Sequence, residues 1–366
     1  MSTSGSNSQN KKILVAMSGG VDSSMAAKLL TEAGYDCIGC MMKLWENDGA
    51  AASGKTCCSL DDAEDARSVA RSLGIPFYVF NFTEDFKNIV IGDFVENYEN
   101  GRTPNPCILC NRCMKFGKLY QRARELGCEF IATGHYARIE DRGGRFLLKK
   151  ALDETKDQSY VLYNLTQEQL SHTFFPLGEL RKEDVRSTAS AAGFVNSEKP
   201  DSQDICFVPD GDYASVVERY SDKAPVPGNF IDTEGNVLGR HKGIIHYTLG
   251  QRRGLGIPAE SRLYVVKIDI EKNEVVLGRD EDLFSREVFA TAVNWISGEA
   301  PREPFRASAK IRYRHREQPA LIMPLPGNRL RITFDEPQRA ATPGQSAVIY
   351  LGDTVLGGGI ITEDLV

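Results

Sequence analysis

Over roughly the first 150 residues, short β-branched runs alternate with amphipathic stretches. Ile13-Leu14-Val15-Ala16-Met17 predicts a buried strand, and Ser23 to Ala33 a helix that Gly34 stops. Cys37 to Met42 is the next strand. Ser59-Leu60-Asp61-Asp62 has the form of a capping box and opens a helix to about Leu73, closed by Gly74. Phe77 to Asn81 reads as a strand, Thr83 to Tyr98 as a helix, and Phe130 to Thr133 as a strand ending at Gly134. Strand and helix in alternation predict an α/β unit built on a parallel sheet. Ligands of such sheets sit beyond the C-terminal strand ends, where Ser18, Met42 and Gly134 fall.

The period changes further along. Glu168 to Gly193 reads as helical, and Pro225 to Gly256, dense in Gly and Pro, as a small, mainly β connecting unit. From about Leu263 short alternating strands follow: Tyr264–Asp269, Glu274–Leu277, Phe305–Tyr313, Leu330–Phe334 and Ser346–Tyr350. Turn residues separate them, which predicts an antiparallel barrel or sandwich. The expected order is a polar, disordered tail over 1–10, a parallel-sheet domain over 11–209, a small central domain over 210–280, and a C-terminal β-barrel over 281–366. No internal repeat is present.

A chain of 366 residues, 41% hydrophobic and 26% charged, is long enough for two or three cores. No window approaches eighteen consecutive apolar residues, and the first ten lack the pattern of a signal or transit peptide. The expectation is a cytoplasmic protein without a membrane span. A net charge of −6 argues against nonspecific coating of nucleic acid, yet Arg306 to Arg339 holds eight Lys/Arg against three Asp/Glu. Nine cysteines in a chain without a secretory signal suggest metal or thiol chemistry rather than a disulfide framework.

Ser18-Gly19-Gly20-Val21-Asp22-Ser23-Ser24 joins the first strand to the first helix. Its glycines allow a tight turn and a close approach to phosphate, and the helix N-terminus supplies N–H donors. The Gly-Lys-Ser/Thr ending of a γ-phosphate-transferring loop is missing. A plain glycine turn is the competing reading; the full heptad between strand and helix favours nucleotide binding.

Thr103-Pro104-Asn105-Pro106-Cys107-Ile108-Leu109-Cys110 reads as a stiff loop presenting Cys-x-x-Cys, suited to a metal or a redox pair. Arg112 and Lys115 are nearby cations that lower a thiol pKa. Cys206 stands apart and on its own reads as a buried structural thiol. Cys37, Cys40, Cys57, Cys58 and Cys128 read as structural; Cys113 is either a ligand or turned away on a helix starting near Asn111. Lys310, Arg312, Tyr313, Arg314, His315 and Arg316 combine cations with a planar ring, as RNA recognition does. On a strand, Arg312, Arg314 and Arg316 would share one face. A solvated basic strand is the alternative.

Ser18–Ser24, Thr103–Cys110, Thr133-Gly134-His135-Tyr136, Lys156-Asp157-Gln158-Ser159-Tyr160, Asp204-Ile205-Cys206-Phe207, His246–Arg252, Lys310–Arg314 and Thr342-Pro343-Gly344-Gln345 occur in that order. Together they resemble the tRNA-specific 2-thiouridylase family from Lys11 to Thr362. The resemblance implies an adenine-nucleotide α-hydrolase-like domain whose pyrophosphatase-type loop binds ATP with Mg²⁺. ATP adenylates the C2 oxygen of a tRNA wobble uridine, and sulfur replaces it. Ala16, Met17, Ser18, Gly19, Gly20, Val21, Asp22 and Ser23 would hold the nucleotide, and Met42 and Gly134 its adenine and ribose. Cys110 matches the family's nucleophile and Cys206 its persulfide carrier. Asn105, Pro106, Cys107, His135, Lys156, Asp157, Gln158, Arg312, Tyr313 and Gln345 match positions that meet the RNA.

Many members carry Asp where this chain has Cys107. Cys107, Cys110 and Cys206 therefore also resemble the three-cysteine set of related tRNA thiolases that hold a 4Fe–4S cluster, whose open iron binds sulfide. Both sulfur routes stand as expectations here. The implied partners are tRNA and a sulfur donor, either a persulfide relay protein or inorganic sulfide, acting on a monomer. An amide-forming ligase of the same ATP class explains the loop but not the cysteines. A zinc-holding RNA-binding protein explains the cysteines but not the loop.

Overall fold

The computed structural model describes residues 11–45, 60–201, 205–208 and 211–363. Ser59, Cys57, Cys58 and Asp204, named above, lie outside them. A five-stranded parallel sheet runs in the order Phe77–Asn81, Asp36–Lys43, Lys12–Ala16, Phe130–Ala132, Thr173–Phe174. Lys12–Ala16 is central and paired on both sides, so its apolar run is continuous: Ile13, Leu14 and Val15 are fully buried. Alternate residues supply separate cores on the two faces. Leu14, Ile38, Cys40 and Met42 face one; Ile13, Val15, Cys37 and Met41 face the other. The chain leaves Lys12–Ala16 towards Asp36–Lys43 on one side and returns as Phe130–Ala132 on the other. That reversal opens a crevice at the strand ends.

Helix Val21–Glu32 buries Val21, Met25, Ala26, Ala27 and Leu30 and ends before Gly34, which takes φ +83°. Two long helical runs, 83–99 and 106–125, lie beside the sheet, each interrupted by a π segment, Lys87–Ile91 and Cys110–Lys118. The second corrects the expected loop. Pro106 occupies the first helical turn with Asn105 as its cap, so Cys107 and Cys110 are helical residues, and the helix starts five residues before Asn111.

The predicted Glu168–Gly193 helix is two helices, Gln167–Ser171 and Lys182–Ala191, separated by the edge strand Thr173–Phe174. The β-branched and aromatic run Thr173-Phe174-Phe175 and Pro176 break the helical period.

Four strands form the central sheet in the order Tyr264–Asp269, Glu274–Gly278, Gly228–Asp232, Val237–His241. The C-terminal barrel has six antiparallel strands and closes by pairing Phe284–Trp295 with Thr354–Thr362. A hairpin of the first domain, Arg138–Asp141 with Phe146–Lys149, continues from the barrel strand Thr354–Thr362. Tyr160 donates to Ser346 O at 2.8 Å, and Asn294 Nδ2 donates to the carbonyls of Tyr163 and Leu165. The barrel is thus joined to the sheet domain by backbone pairing as well as side chains.

The strand predicted over Phe305–Tyr313 ends at Lys310, and a turn follows in which His315 N donates to Arg312 O. Arg312 bends inward, donating from Nη2 to Ala340 O at 2.6 Å and to Thr342 Oγ1 at 2.9 Å. Arg314 and Arg316 remain exposed. The three arginines therefore do not share a face, because the strand that would alternate them has already ended.

Candidate active site

At the end of Lys12–Ala16 the chain turns through Ser18–Ser24. Gly19 takes φ +77°, and a Cβ there would stand 2.4 Å from Asp62 O. Only glycine meets both conditions. Gly20 caps helix Val21–Glu32, and its carbonyl accepts from Ser23 Oγ at 3.0 Å and Ser24 Oγ at 3.1 Å. Ser18 N donates to Ser23 Oγ at 3.0 Å, closing the loop on itself. Met17 is buried and Ala16 half-buried behind it. A 12-residue helix thus starts beside a turn whose polar groups are fixed, an arrangement suited to phosphate.

Neighbouring elements support the loop. Gly134, at the end of Phe130–Ala132, lies so close that a Cβ would be 2.7 Å from Ser23 N. Asn196, 1% exposed, donates from Nδ2 to Gly19 O at 3.0 Å and Ser24 Oγ at 2.9 Å. Asp22 has both carboxylate oxygens 2.7 Å from Lys182 Nζ and accepts from the Tyr136 hydroxyl at 2.8 Å. Burial, and then the Asp22 charge, push the Tyr136 phenol upward, so it serves as a neutral donor. Both Asp22 oxygens are thus engaged within the chain. Met42 lies at the end of the adjacent strand, buried on one sheet face.

Lys182, Asn196 and Tyr136 escaped the sequence reading as contributors to this site. Lys182 opens a helix amid charged neighbours and reads as solvated, although it is 7% exposed. Lys199 completes the clamp by pairing with Asp62 at 2.6 Å and Asp65 at 2.7 Å.

Helix 106–125 carries Cys107, exposed, and Cys110, 8% exposed. Asn105 Oδ1 accepts from Cys107 N at 3.2 Å, the capping contact that starts the helix. Lys115 of the same helix approaches His135 Nε2 at 3.4 Å, while Thr133 Oγ1 lies 2.7 Å from His135 Nδ1. Lys115 can only donate, so His135 Nδ1–H donates to Thr133. Burial, seconded by the Lys115 charge, holds the His135 pKa well below its ordinary value, and the ring is neutral. Lys115, His135 and Gly134 thereby connect the cysteine helix to the nucleotide loop.

Phe207 meets Phe86 and Phe94 edge-on at 5.6 and 5.1 Å. Ile205 and Cys206 pack against the same apolar cluster that contains Ile108, Cys110 and Met114. The structure therefore brings Cys206 and the Cys110 helix to one core, the two cysteines being 96 residues apart in sequence. None of the seven described cysteines takes part in a disulfide. Burial raises the pKa of Cys37 and Cys40 and pushes Cys128 up to about 11, in keeping with structural thiols. Cys113 is half-buried, and burial raises its thiol as well.

The cluster alternative does not fit this arrangement. Among the described residues no group of three or more His, Cys, Asp or Glu side chains is gathered to hold a metal. Cys107, Cys110 and Cys206 do not form such a set.

Residues expected to meet RNA are largely turned to internal partners. Lys156 pairs with Asp201 at 2.8 Å, and Asp157 accepts from Ala151 N, Ser159 N and Ser159 Oγ. Gln158 Oε1 accepts from Tyr136 N at 2.9 Å. Gln345 Nε2 donates to Thr103 O at 2.8 Å and Pro104 O at 3.3 Å, tying the barrel to the segment that leads through Pro106 to Cys107. Tyr313 is 38% exposed, with Lys310 Nζ 5.7 Å from its ring centroid. Burial lowers the Lys310 ammonium, against the nearby Asp157 and Glu317 charges.

These features define a nucleotide-binding α/β domain with a thiol-bearing helix, joined to a β-barrel. Family models agree with each part. The tRNA methyl transferase HUP domain matches residues 11–210, the tRNA methyl transferase PRC-barrel domain 214–279, and the aminomethyltransferase beta-barrel domain 285–361. The chain is 52% identical over 358 residues to tRNA-specific 2-thiouridylase MnmA of Clostridioides difficile (strain 630), covering 97% of this chain and 99% of that protein. It is 52% identical over 356 residues to the MnmA of Acetivibrio thermocellus, covering 96% and 99%. The MnmA of Geotalea uraniireducens is 51% identical over 360 residues, covering 97% and 96%. The chain belongs to the tRNA-specific 2-thiouridylase family. Among the described residues no helix is long and apolar enough to cross a membrane.

Proposed function

We propose that this chain is an ATP-dependent tRNA sulfurtransferase that thiolates C2 of the wobble uridine. The observation that carries the reading is identity of about half the residues, end to end, with 2-thiouridylases. The residues divide the work as that chemistry requires. The Ser18–Ser24 loop, held by Asn196 and Gly134, cradles the triphosphate, which enters with Mg²⁺ as its counter-ion. Adenylation of the uridine C2 oxygen expels pyrophosphate and makes that oxygen a leaving group. A persulfide on Cys206 attacks C2, and AMP departs. Cys110 then attacks the Cys206 sulfur; the S–S bond breaks with its electron pair on the sulfur bound to C2, leaving 2-thiouridine and a Cys110–Cys206 disulfide. A dithiol reductant restores both thiols.

Residues 11–209 do the chemistry, 210–280 connect, and 281–366 meet the RNA. One chain carries the loop, both cysteines and the barrel, so a monomer holds a complete site. A tRNA substrate supports a cytoplasmic setting, and the sulfur comes from a persulfide relay protein or inorganic sulfide. Tyr313, with Lys310 beside it, is the ring offered to a base among the RNA residues.

The test uses unmodified tRNA transcript, ATP and a persulfide donor. tRNA-dependent pyrophosphate release and a mercury-retarded tRNA band are expected, and Cys110→Ala and Cys206→Ala each abolish the band. Pyrophosphate release driven by a small amine, with no need for tRNA, would overturn the reading.

A further inference from the structure

Lys182 touches two carboxylates that belong to different parts of the reaction. Its Nζ lies 2.7 Å from both oxygens of Asp22, in the nucleotide loop, and 2.8 Å from Asp201 Oδ1, five residues before Cys206. Lys156 at 2.8 Å and Arg186 at 2.9 Å also hold Asp201. Lys182 is the bridge between the loop and the Asp201 anchor. Its own place is set independently: its backbone N donates to Asp153 Oδ2 at 3.0 Å, and Nζ lies 5.7 Å from the Tyr136 ring centroid. Asp201 sits among three cations; although burial works to raise it, the pairs with Lys156 and Lys182 bring its pKa down to about 2. The anchor therefore remains ionised at any pH at which the enzyme works.

Resting on the function proposed above, we infer that Lys182 is a positioning residue that keeps the adenylation site and the sulfur-carrying segment in register. It has two separable duties. Towards Asp22 it cancels a carboxylate that would otherwise repel the incoming triphosphate. Towards Asp201 it fixes a residue five positions before Cys206 against the loop that holds the uridine's activating group. Adenylation needs the first duty, and sulfur delivery needs both. A terminal sulfur that must reach one carbon is sensitive to small displacements; a misplacement near 1 Å costs about 100-fold in rate.

The experiment compares wild type, Asp201→Asn, Lys182→Met and Lys182→Arg as full chains, with unmodified tRNA transcript, ATP and glutathione persulfide. Pyrophosphate release and thiolated tRNA are measured in the same reactions, and thermal melting checks folding. Asp201→Asn is expected to release pyrophosphate within about twofold of wild type, with an unchanged KM for ATP, while thiolation falls by about 100-fold. Lys182→Met should raise the ATP KM and lose both activities. Lys182→Arg, which keeps the charge, should restore pyrophosphate release more than thiolation. Asp201→Asn that thiolates at the wild-type rate overturns the inference, as does an Asp201→Asn protein in which both steps fall in equal proportion. If Asp201→Asn does not fold, the same split is read from Lys182→Arg, where equal loss of the two steps has the same force. A wild type that releases no pyrophosphate with tRNA refutes the proposed function itself.

Discussion

Gly134 is the position where one methyl group should separate nucleotide chemistry from RNA binding. In Gly134→Ala the new Cβ would stand 2.7 Å from Ser23 N, 2.8 Å from Asp22 C and 3.0 Å from Ser23 Cα. All three are backbone atoms at the start of helix Val21–Glu32, so no side chain can rotate away. Ordinary contact begins near 3.4 Å, and either the loop or the end of Phe130–Ala132 must yield by about 0.7 Å. Overpacking of this kind costs about 1–3 kcal/mol of stability. A sub-ångström shift of the loop relative to its ligand should lower kcat/KM for pyrophosphate release by about 10- to 100-fold. Gly92→Ala, outside the nucleotide loop, is the control, because its Cβ meets nothing nearer than Lys87 O at 3.6 Å. The assay is tRNA-dependent pyrophosphate release across ATP concentrations, with filter binding of tRNA in parallel. Gly134→Ala should bind tRNA as wild type does. A wild-type rate and ATP KM in a folded Gly134→Ala protein would refute the steric argument.

Other outcomes follow from the same geometry. Arg312→Ala should cost about 1.5–3 kcal/mol in urea denaturation, because its charged hydrogen bonds to Ala340 O and Thr342 are internal, and it should leave the salt dependence of tRNA binding unchanged. Arg314→Ala with Arg316→Ala should instead reduce the slope of log affinity against log salt by about two if both exposed side chains meet phosphates, with little change in stability. Gln345→Ala removes two hydrogen bonds to the Thr103–Pro104 backbone and should lower stability by about 1–2 kcal/mol and slow thiolation more than pyrophosphate release, measured in one reaction. His135 is depressed by burial, so the unfolded chain binds its proton first as pH falls. The stability it secures is fully present above about pH 6.5 and declines below. Wild type should therefore lose up to about 1.0 kcal/mol more than His135→Gln between pH 6.5 and 5.5, read from urea midpoints.

Much of this protein was legible in one dimension because the relevant interactions are local. The strand, Gly-Gly turn and helix around Ser18–Ser24 each follow from side-chain period and glycine's backbone freedom, and the parallel sheet follows from their alternation. The ordered motifs likewise carried the family. Where a local cap was misjudged, or tertiary context overrode local pattern, the reading failed. Pro104 and Pro106 suggested a stiff loop, yet Pro106 sits at a first helical position, where its missing N–H costs nothing, and Asn105 caps the turn. The arginines of the 310–316 run looked alike in sequence, but Arg312 finds Ala340 and Thr342, 28 and 30 residues on, and turns inward. Lys182, amid charged residues at a helix start, has no local mark of burial; its partners lie 160 residues before it and 19 after it. Periodicity and turn chemistry report forces acting within a few residues, so they determine elements and motifs. Which buried cation meets which carboxylate depends on chain segments brought together only when the sheet, helices and barrel close on one another, and that was decided by the tertiary structure alone.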